Sequence, residues 1–286
     1  MVRSIFKLTF VLVSVMFFAE ASFALPSKET RAVIIEPFPY AEGAAPQNII
    51  DEMDIENELP KLTFEYFNKI KAFKSIALVD TTSEFDADIY IKGEIMHTSG
   101  GSGAARYFGG LAGAGRSSLI VGIKVYDKDN NLIHEGVVNQ NGARGGSIFS
   151  VWSNKKNITS AMNAIPKKIF LSTVAGDITT PEGIVRALQS KDPIAIQAGA
   201  KSASKHELYL KKTVTDSMEM VLLESLTVNT KNRYYIDGVA WCAINLGDSS
   251  DKKYIPTLES VLASEVNKKI KKHAKKALKK LNKLKA

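Results

Sequence analysis

Cysteine is nearly absent from this sequence, because Cys242 is the only one among 286 residues. The chain therefore forms no intramolecular disulfide, and packing, metal or partners must hold its fold together. Long hydrophobic runs are missing too. The stretch Leu8–Phe18 is about half of the roughly 20 apolar residues that a membrane-spanning helix needs. We therefore predict that the protein is not an integral membrane protein.

The first residues are typical of a secretory signal peptide. Arg3 and Lys7 precede the hydrophobic stretch, and Ser22 and Ala24 have the small-residue spacing that a signal peptidase requires. We predict cleavage after Ala24 and export to the bacterial periplasm, with the periphery of the outer membrane as the alternative location. A lipoprotein needs Cys directly after the cut, but Leu25 stands there. We expect no lipid anchor at this position.

The segment after the predicted signal peptide is typical of an α/β domain. Short runs rich in β-branched residues predict strands, and segments with apolar residues three to four positions apart predict helices. Pro60 is placed to begin a second helix within the first helical region, and Pro166 predicts a break or kink in the last one. The predicted strands are Arg31–Phe38, Ser75–Asp80, Asp88–Thr98, Leu119–Tyr126 and Leu132–Val138, and the predicted helical regions are Asn48–Phe73 and Lys155–Val174.

After Gly176 the strand-like alternation disappears, and amphipathic helices are predicted to the end of the chain. Asp192-Pro193, Gly247-Asp248 and Pro256 separate these helices. The predicted fold is an α/β (α+β) domain with a mixed or antiparallel sheet, followed by an all-α domain. The predicted segments are a signal peptide over 1–24, the α/β domain over 25–176 with a Gly-rich loop over 99–118, and the helical domain over 177–286.

The stretch Trp241–Leu281 resembles a HEAT-like helical repeat. An Ala-rich helix that ends in Leu-Gly-Asp is followed by a helix that begins Ile-Pro-x-Leu and then by an Ala-Leu helix. About two such repeats would fit between Pro181 and Leu284. The resemblance implies an extended surface that binds proteins.

The first part resembles a family of exported bacterial domains, the domain of unknown function 4410 family. The resemblance lies in Pro37-Phe38, in ADIYIKGEI at Ala87–Ile95, in an Arg-containing Gly-rich loop and in the strand IVGIKVYD that ends at Asp127. It implies a periplasmic or outer-surface α/β domain, and it implies no chemistry.

The Gly-rich loop has seven glycines within Gly100–Gly115. The segment Gly110–Ser117 approximates a phosphate-binding loop, but Arg116 replaces the lysine and the loop leads into a strand rather than a helix. We therefore reject nucleotide binding. The loop is either a turn in which glycine supplies positive φ, or a contact loop in which Arg106 and Arg116 meet anionic groups of a membrane or partner.

No other pattern indicates catalysis, a metal or a cofactor. Asp127–Asn131 begins like a calcium loop but lacks the Gly and Glu that such a loop requires, so we expect a hairpin turn there. The four histidines are scattered without metal-ligand spacing. Ser102 lacks the second glycine of a nucleophile elbow, and Cys242 lies among small residues typical of packing. We predict that the protein is not an enzyme and has no cofactor.

The last predicted helix is strongly basic. Val266–Ala286 contains ten lysines and no acid, whereas acidic residues outnumber basic ones in the rest of the chain. One interpretation is that this helix caps a repeat array and buries its apolar stripe. The other is that it adheres to anionic lipid or polymer. The stripe consists of Ile270, Ala274, Ala277, Leu278, Leu281 and Leu284, and the candidate contact residues are Lys268, Lys272, Lys275 and Lys279 together with the two loop arginines.

These patterns favour a non-enzymatic exported interaction or adaptor protein of the bacterial cell envelope, which binds envelope protein partners. The alternative is a binding module for anionic lipid or cell-envelope polymer that uses the Lys-rich helix. A third interpretation is a cell-wall hydrolase, whose two acids would come together only in the fold. Export argues against nucleic acid as a partner.

Overall fold

The computed structural model describes most of the chain after position 30. The predicted signal peptide and the loop arginines Arg106 and Arg116 lie outside the described residues. Within the described ranges, no helix combines the length and the hydrophobicity that crossing a membrane requires. The described ranges are 31–44, 54–79, 86–99, 118–141 and 152–284, and for residues 99 and 152–157 only the backbone is described.

A five-stranded mixed sheet forms the first part of the described structure, with the strand order β2-β1-β3-β4-β5. Strand β1 lies between β2 and β3 and runs parallel to both of them. Parallel neighbours need crossover connections, which return the chain to the same end of the sheet. Strands β3, β4 and β5 are antiparallel, so the sheet is mixed, which is one of the two predicted arrangements, mixed or antiparallel. The strands are β1 (Ala32–Ile35), β2 (Ser75–Leu78), β3 (Ile89–Ser99), β4 (Ser118–Asp127) and β5 (Leu132–Asn141).

Two helices, α1 (Ile55–Lys69) and α2 (Trp152–Ala175), cover one face of the sheet. Alternate residues of β3 and β4 point into this layer and are almost completely buried, as the two-residue period of a strand requires. The rings of Phe67 and Phe170 meet edge to face, with their centroids 5.9 Å apart. Both helices continue through their prolines, Pro60 and Pro166, so the predicted second helix start does not occur.

Six α-helices follow, and most of their starts are capped by a side chain that the sequence provides. Thr180, Asp192, Asn232 and Asn267 each accept a hydrogen bond from backbone N–H groups in the first turn of the next helix. These bonds satisfy donors that have no partner within the helix. The helices are α3 (Pro181–Gln189), α4 (Pro193–Lys205), α5 (Lys212–Glu224), α6 (Arg233–Asp248), α7 (Ile255–Ala263) and α8 (Lys268–Asn282).

The six helices form three consecutive antiparallel pairs in two layers. Helices α3, α5 and α7 make one layer, and α4, α6 and α8 make the other. The structure thus contains three helix pairs, where the sequence indicated about two repeats. Helix α6 is the centre of its layer, because Gly238 lies against α4 and Gly247 lies against α8. An added Cβ at Gly247 would come within 2.7 Å of the Ala277 backbone, so only glycine permits this close approach.

The helical part packs directly on the sheet part. Ala187, Ile194 and Ala195 belong to the same buried cluster as the residues of the sheet. The Arg186 side chain also donates through Nε to the carbonyl oxygen of Ala175, the last residue of α2, at 3.0 Å. The predicted domain boundary at 176–177 therefore falls within a shared core, and the division into two domains stays a prediction.

Candidate functional site

Helix α8 buries the apolar stripe that the sequence indicated. Ile270, Ala274, Ala277 and Leu281 are at most 4% exposed, and they pack against the other helices of the array. A helix that inserts into a lipid surface needs such a stripe to be free. The burial therefore supports the interpretation of α8 as the cap of the array.

Two ion pairs hold α8 against α6. Lys269 contacts Asp237 at 2.5 Å, and Lys280 contacts Asp248 at 2.5 Å. These pairs lie near the two ends of the shared interface, so they fix the orientation of α8 as well as its position. Their contribution to stability is small, since exposed pairs contribute about 0.2–1 kcal/mol each.

The four lysines that were predicted as contact residues are all exposed. Their spacing of four, three and four residues places them along one side of α8. Within the described part of the chain, they make no ion pair with an acidic side chain. Their ammonium groups are therefore available to a partner. These residues are Lys268, Lys272, Lys275 and Lys279.

The structure adds a second group of lysines that the sequence analysis did not single out. Burial and the nearby Lys201 of α4 both lower the pKa of Lys167 on α2. Burial and the nearby Lys205 likewise lower the pKa of Lys168. Lysines of α2 and α4 thus face each other across the junction between the two parts of the chain. The spacing of Lys201 and Lys205, one helical turn apart, was the only local signal for this arrangement.

Asp237 and His273 connect this group to α8. Asp237 accepts from Lys269, and this bond together with the charges of Lys269 and Lys201 lowers its pKa. His273 has a lowered pKa because of burial and because of the surrounding lysines of α8. Asp237 also accepts from Gln197 of α4, so the surface around it carries lysines of α4 and α8, and Lys167 and Lys168 of α2 lie near those of α4. We call this surface the basic strip, and its members are Lys167, Lys168, Lys201, Lys205, Lys269, Lys272 and Lys276.

A cleft of about 710 Å³ lies at the α2 end of the basic strip. Strand β5 and the last turns of α2 form one wall, and the linker 176–179 and the end of α4 form the other. Its volume lies within the roughly 300–1,000 Å³ typical of small-molecule sites. The ionisable side chains in its walls are His134, Glu135, Lys168, Asp177, Lys201, Lys205 and His206.

Among the described residues, the two acids of the cleft bind groups other than the cleft's lysines. The Asp177 carboxylate accepts from the backbone N–H and the hydroxyl of Thr179, at 2.8 and 2.7 Å. These bonds lower the pKa of Asp177. Glu135 pairs with Lys124 of the neighbouring strand at 3.5 Å. The three lysines of the cleft outnumber its two acids, so the net charge of the cleft is positive.

At the other end of the cleft, His134 Nε2 lies 2.8 Å from the hydroxyl of Ser172. The pKa of His134 is lowered by burial and by the charge of Arg186, so the neutral ring is favoured near pH 7. This end provides hydrogen-bonding groups with little net charge, in contrast to the lysine end.

Candidate metal ligands, the predicted hairpin turn and Cys242 can be located among the described residues. Within them, no group of three or more His, Cys, Asp or Glu side chains is placed to hold a metal ion. The predicted hairpin turn is present, because the Asp127 carboxylate accepts from the backbone of Asp129 and Asn131. Cys242 is completely buried, and burial raises the pKa of its thiol. A thiol in this state is a poor nucleophile.

No family model matches the chain, and no curated protein matches it either. The solved structures similar to it include the PelC dodecamer from Paraburkholderia phytofirmans, at a TM-score of 0.34 and 10% identity, over 50% of this chain and 89% of that chain. A leucine-to-methionine variant of the same dodecamer gives a TM-score of 0.32 and 10% identity, over 48% of this chain and 91% of that chain. Similarity at this level supports no conclusion about function. The resemblances to the domain of unknown function 4410 family and to HEAT-like repeats stay predictions.

Proposed function

We propose that this protein is an exported, non-enzymatic binding protein of the bacterial cell envelope, and that its basic strip binds an acidic surface of a partner protein. The observation that carries the proposal is that lysines of α2 and α4 line one cleft, while Asp237 joins α4 to the lysines of α8. These lysines come from segments that are far apart in the sequence, and only the fold brings them together.

Electrostatics supports a charged partner. Lysines that lower one another's pKa repel each other, and a carboxylate-rich surface would relieve that repulsion on binding. Complementary charge also accelerates association, and added salt weakens this effect. A partner of this kind should therefore bind more slowly as the salt concentration rises.

A protein partner is favoured over a lipid surface because the apolar stripe of α8 is buried. Because the stripe is buried, α8 can bind anionic lipid only by electrostatic attraction, which contributes about 1 kcal/mol for each lysine near the membrane surface. The array of three helix pairs also offers the extended surface on which helical repeats usually bind proteins.

The anionic lipid or polymer interpretation is kept as the second candidate. The row of exposed lysines on α8 supports it, since these four side chains have no acidic partner among the described residues. Its expected signature is binding to vesicles or anionic polysaccharide that salt abolishes and that needs no partner protein.

Photo-crosslinking in the native cell is the test. A crosslinker placed at Lys275, beside the basic strip, should capture a defined partner from the periplasm. The double variant Lys272→Gln/Lys276→Gln should bind that purified partner about threefold to tenfold more weakly at low salt. The matched control is Lys69→Gln/Lys74→Gln, which removes the same charge from exposed positions near the opposite edge of the sheet.

Equal affinities of the two double variants would contradict the proposal. A crosslink to lipopolysaccharide or another anionic polymer, with no protein adduct, would favour the second candidate instead. Export is tested separately by sequencing the N-terminus of the mature protein, which should begin at Leu25.

A further inference from the structure

We infer that the cleft between β5 and α4 binds a compact ligand that carries at least two acidic groups, either carboxylates or phosphates. This inference goes beyond the proposed function, because it concerns a small-molecule site in a cleft at the α2 end of the basic strip, with which it shares Lys168, Lys201 and Lys205.

The lysine end of the cleft is lined by side chains from two opposite walls. Lys168 reaches from α2 and donates to the carbonyl oxygen of Asn139 on β5. Lys201 and Lys205 project from the opposite wall, on α4. Three lysines thus line one space from two walls. A single carboxylate would neutralise one of them and a single phosphate at most two, so the site is matched to a ligand with two or more acidic groups.

Neither acid of the cleft is paired with one of these lysines among the described residues. Asp177 accepts from the N–H and hydroxyl of Thr179, and Glu135 is paired with Lys124. Burial and the charge of Lys205 lower the pKa of Lys168. An anion between them would make charge-assisted hydrogen bonds, which are among the strongest that proteins form.

The histidine end of the cleft provides hydrogen-bonding groups. His134 and Ser172 are joined by a hydrogen bond of 2.8 Å, and His206 lies on the opposite wall. The charges near His134 are Arg186 on α3, Asp177 in the linker and Glu135 on β5. This end is suited to hydroxyl or other neutral polar groups of the ligand, whose acidic groups then occupy the lysine end.

The position of the cleft predicts a measurable effect on stability. Its walls come from the sheet part on one side and from the helical part on the other. A ligand that contacts both walls binds the folded chain and not the unfolded one, so it raises the melting temperature, and the stabilisation grows with the logarithm of the free ligand concentration above Kd.

The test uses citrate and pyrophosphate as probes, with glucose as the neutral control, on the purified chain. At least one of the two anions should bind saturably in titration calorimetry and raise the melting temperature, whereas glucose should do neither. The response to each anion distinguishes a carboxylate site from a phosphate site. The variant Lys168→Gln/Lys205→Gln should weaken binding of the effective anion at least tenfold.

Two controls keep the result specific to the cleft. Lys69→Gln/Lys74→Gln removes the same charge elsewhere, and Lys272→Gln/Lys276→Gln tests the partner surface; both should bind the anion like the wild type. The single variant Lys205→Gln, at an exposed position, replaces the double variant if the latter fails to fold. In addition, anion binding should shift the NMR signals of His134 and His206 in the wild type.

The inference would be overturned if neither anion bound saturably at concentrations up to about 10 mM. A dissociation constant above that value is weaker than those of nearly all specific small-molecule sites. Equal binding by the cleft variant and the two controls would overturn it as well. Either result is distinguishable from failure of the partner-binding proposal, because the variant Lys272→Gln/Lys276→Gln on α8 tests that proposal with the partner protein itself.

Discussion

The substitution Leu281→Ala tests whether the apolar stripe of α8 serves the fold or a membrane. Leu281 is completely buried. The substitution removes three carbon atoms, which is worth about 2.4 kcal/mol at about 0.8 kcal/mol for each buried methylene. The cavity that is left adds to this cost, as in other buried Leu→Ala substitutions, which span about 2–5 kcal/mol. We expect the free energy of unfolding to fall by about 3 kcal/mol.

Urea unfolding followed by far-UV circular dichroism measures this loss, and Lys279→Ala is the matched control. Lys279 lies on the exposed side of the same helix, so its substitution should change the free energy of unfolding by less than about 0.5 kcal/mol. Sedimentation with anionic vesicles is the second readout. A stability close to that of the wild type for Leu281→Ala, combined with weakened vesicle binding, would refute the assignment of α8 as a cap.

Two further predictions concern Asp216 and Cys242. Burial alone would raise the pKa of Asp216, but hydrogen bonds from Lys212, Lys253 and Tyr254 outweigh it and lower the pKa to about 2. Since the folded pKa lies below the unfolded one, the stabilisation is present above about pH 4 and is lost as the pH falls towards 2. Because the Asp216 side chain is 38% exposed, we expect Asp216→Asn to cost only about 1 kcal/mol at pH 7 in urea unfolding. The difference from the wild type should shrink near pH 2, and a constant difference from pH 7 to pH 2 would contradict this assignment. Cys242 should react with Ellman's reagent only as fast as the chain unfolds, and rapid stoichiometric labelling of the native protein would show that the helical array is open.

Much of the secondary structure follows from local sequence. The alternation in Asp88–Thr98 and Leu119–Tyr126 predicts strands β3 and β4 within a residue or so of their observed bounds. Thr180, Asp192 and Pro181 mark helix starts, because a capping side chain and an N1 proline act within one turn. Pro166 predicts a break or a kink, and of these the break is wrong, because the helix continues through Pro166 as α2.

The sequence predicts only part of the candidate site. The lysines of α8 lie within one short segment, so their density and their apolar stripe are visible in the sequence. Whether that stripe faces protein or lipid depends on α6, whose Gly247 lets α8 approach closely. No periodicity within α8 itself contains that information.

The sequence by itself determined the strands and helices, the strongly basic last helix and the absence of recognisable catalytic patterns, since each is a property of neighbouring residues. The tertiary structure alone decided the strand order and the approach of Lys168 to Lys205, which are 37 positions apart. Their approach depends on the packing of α4 against α2 through a shared core. Burial of apolar surface drives that packing without regard to charge, so a cluster of like charges at the junction is a consequence of the fold that no local pattern predicts.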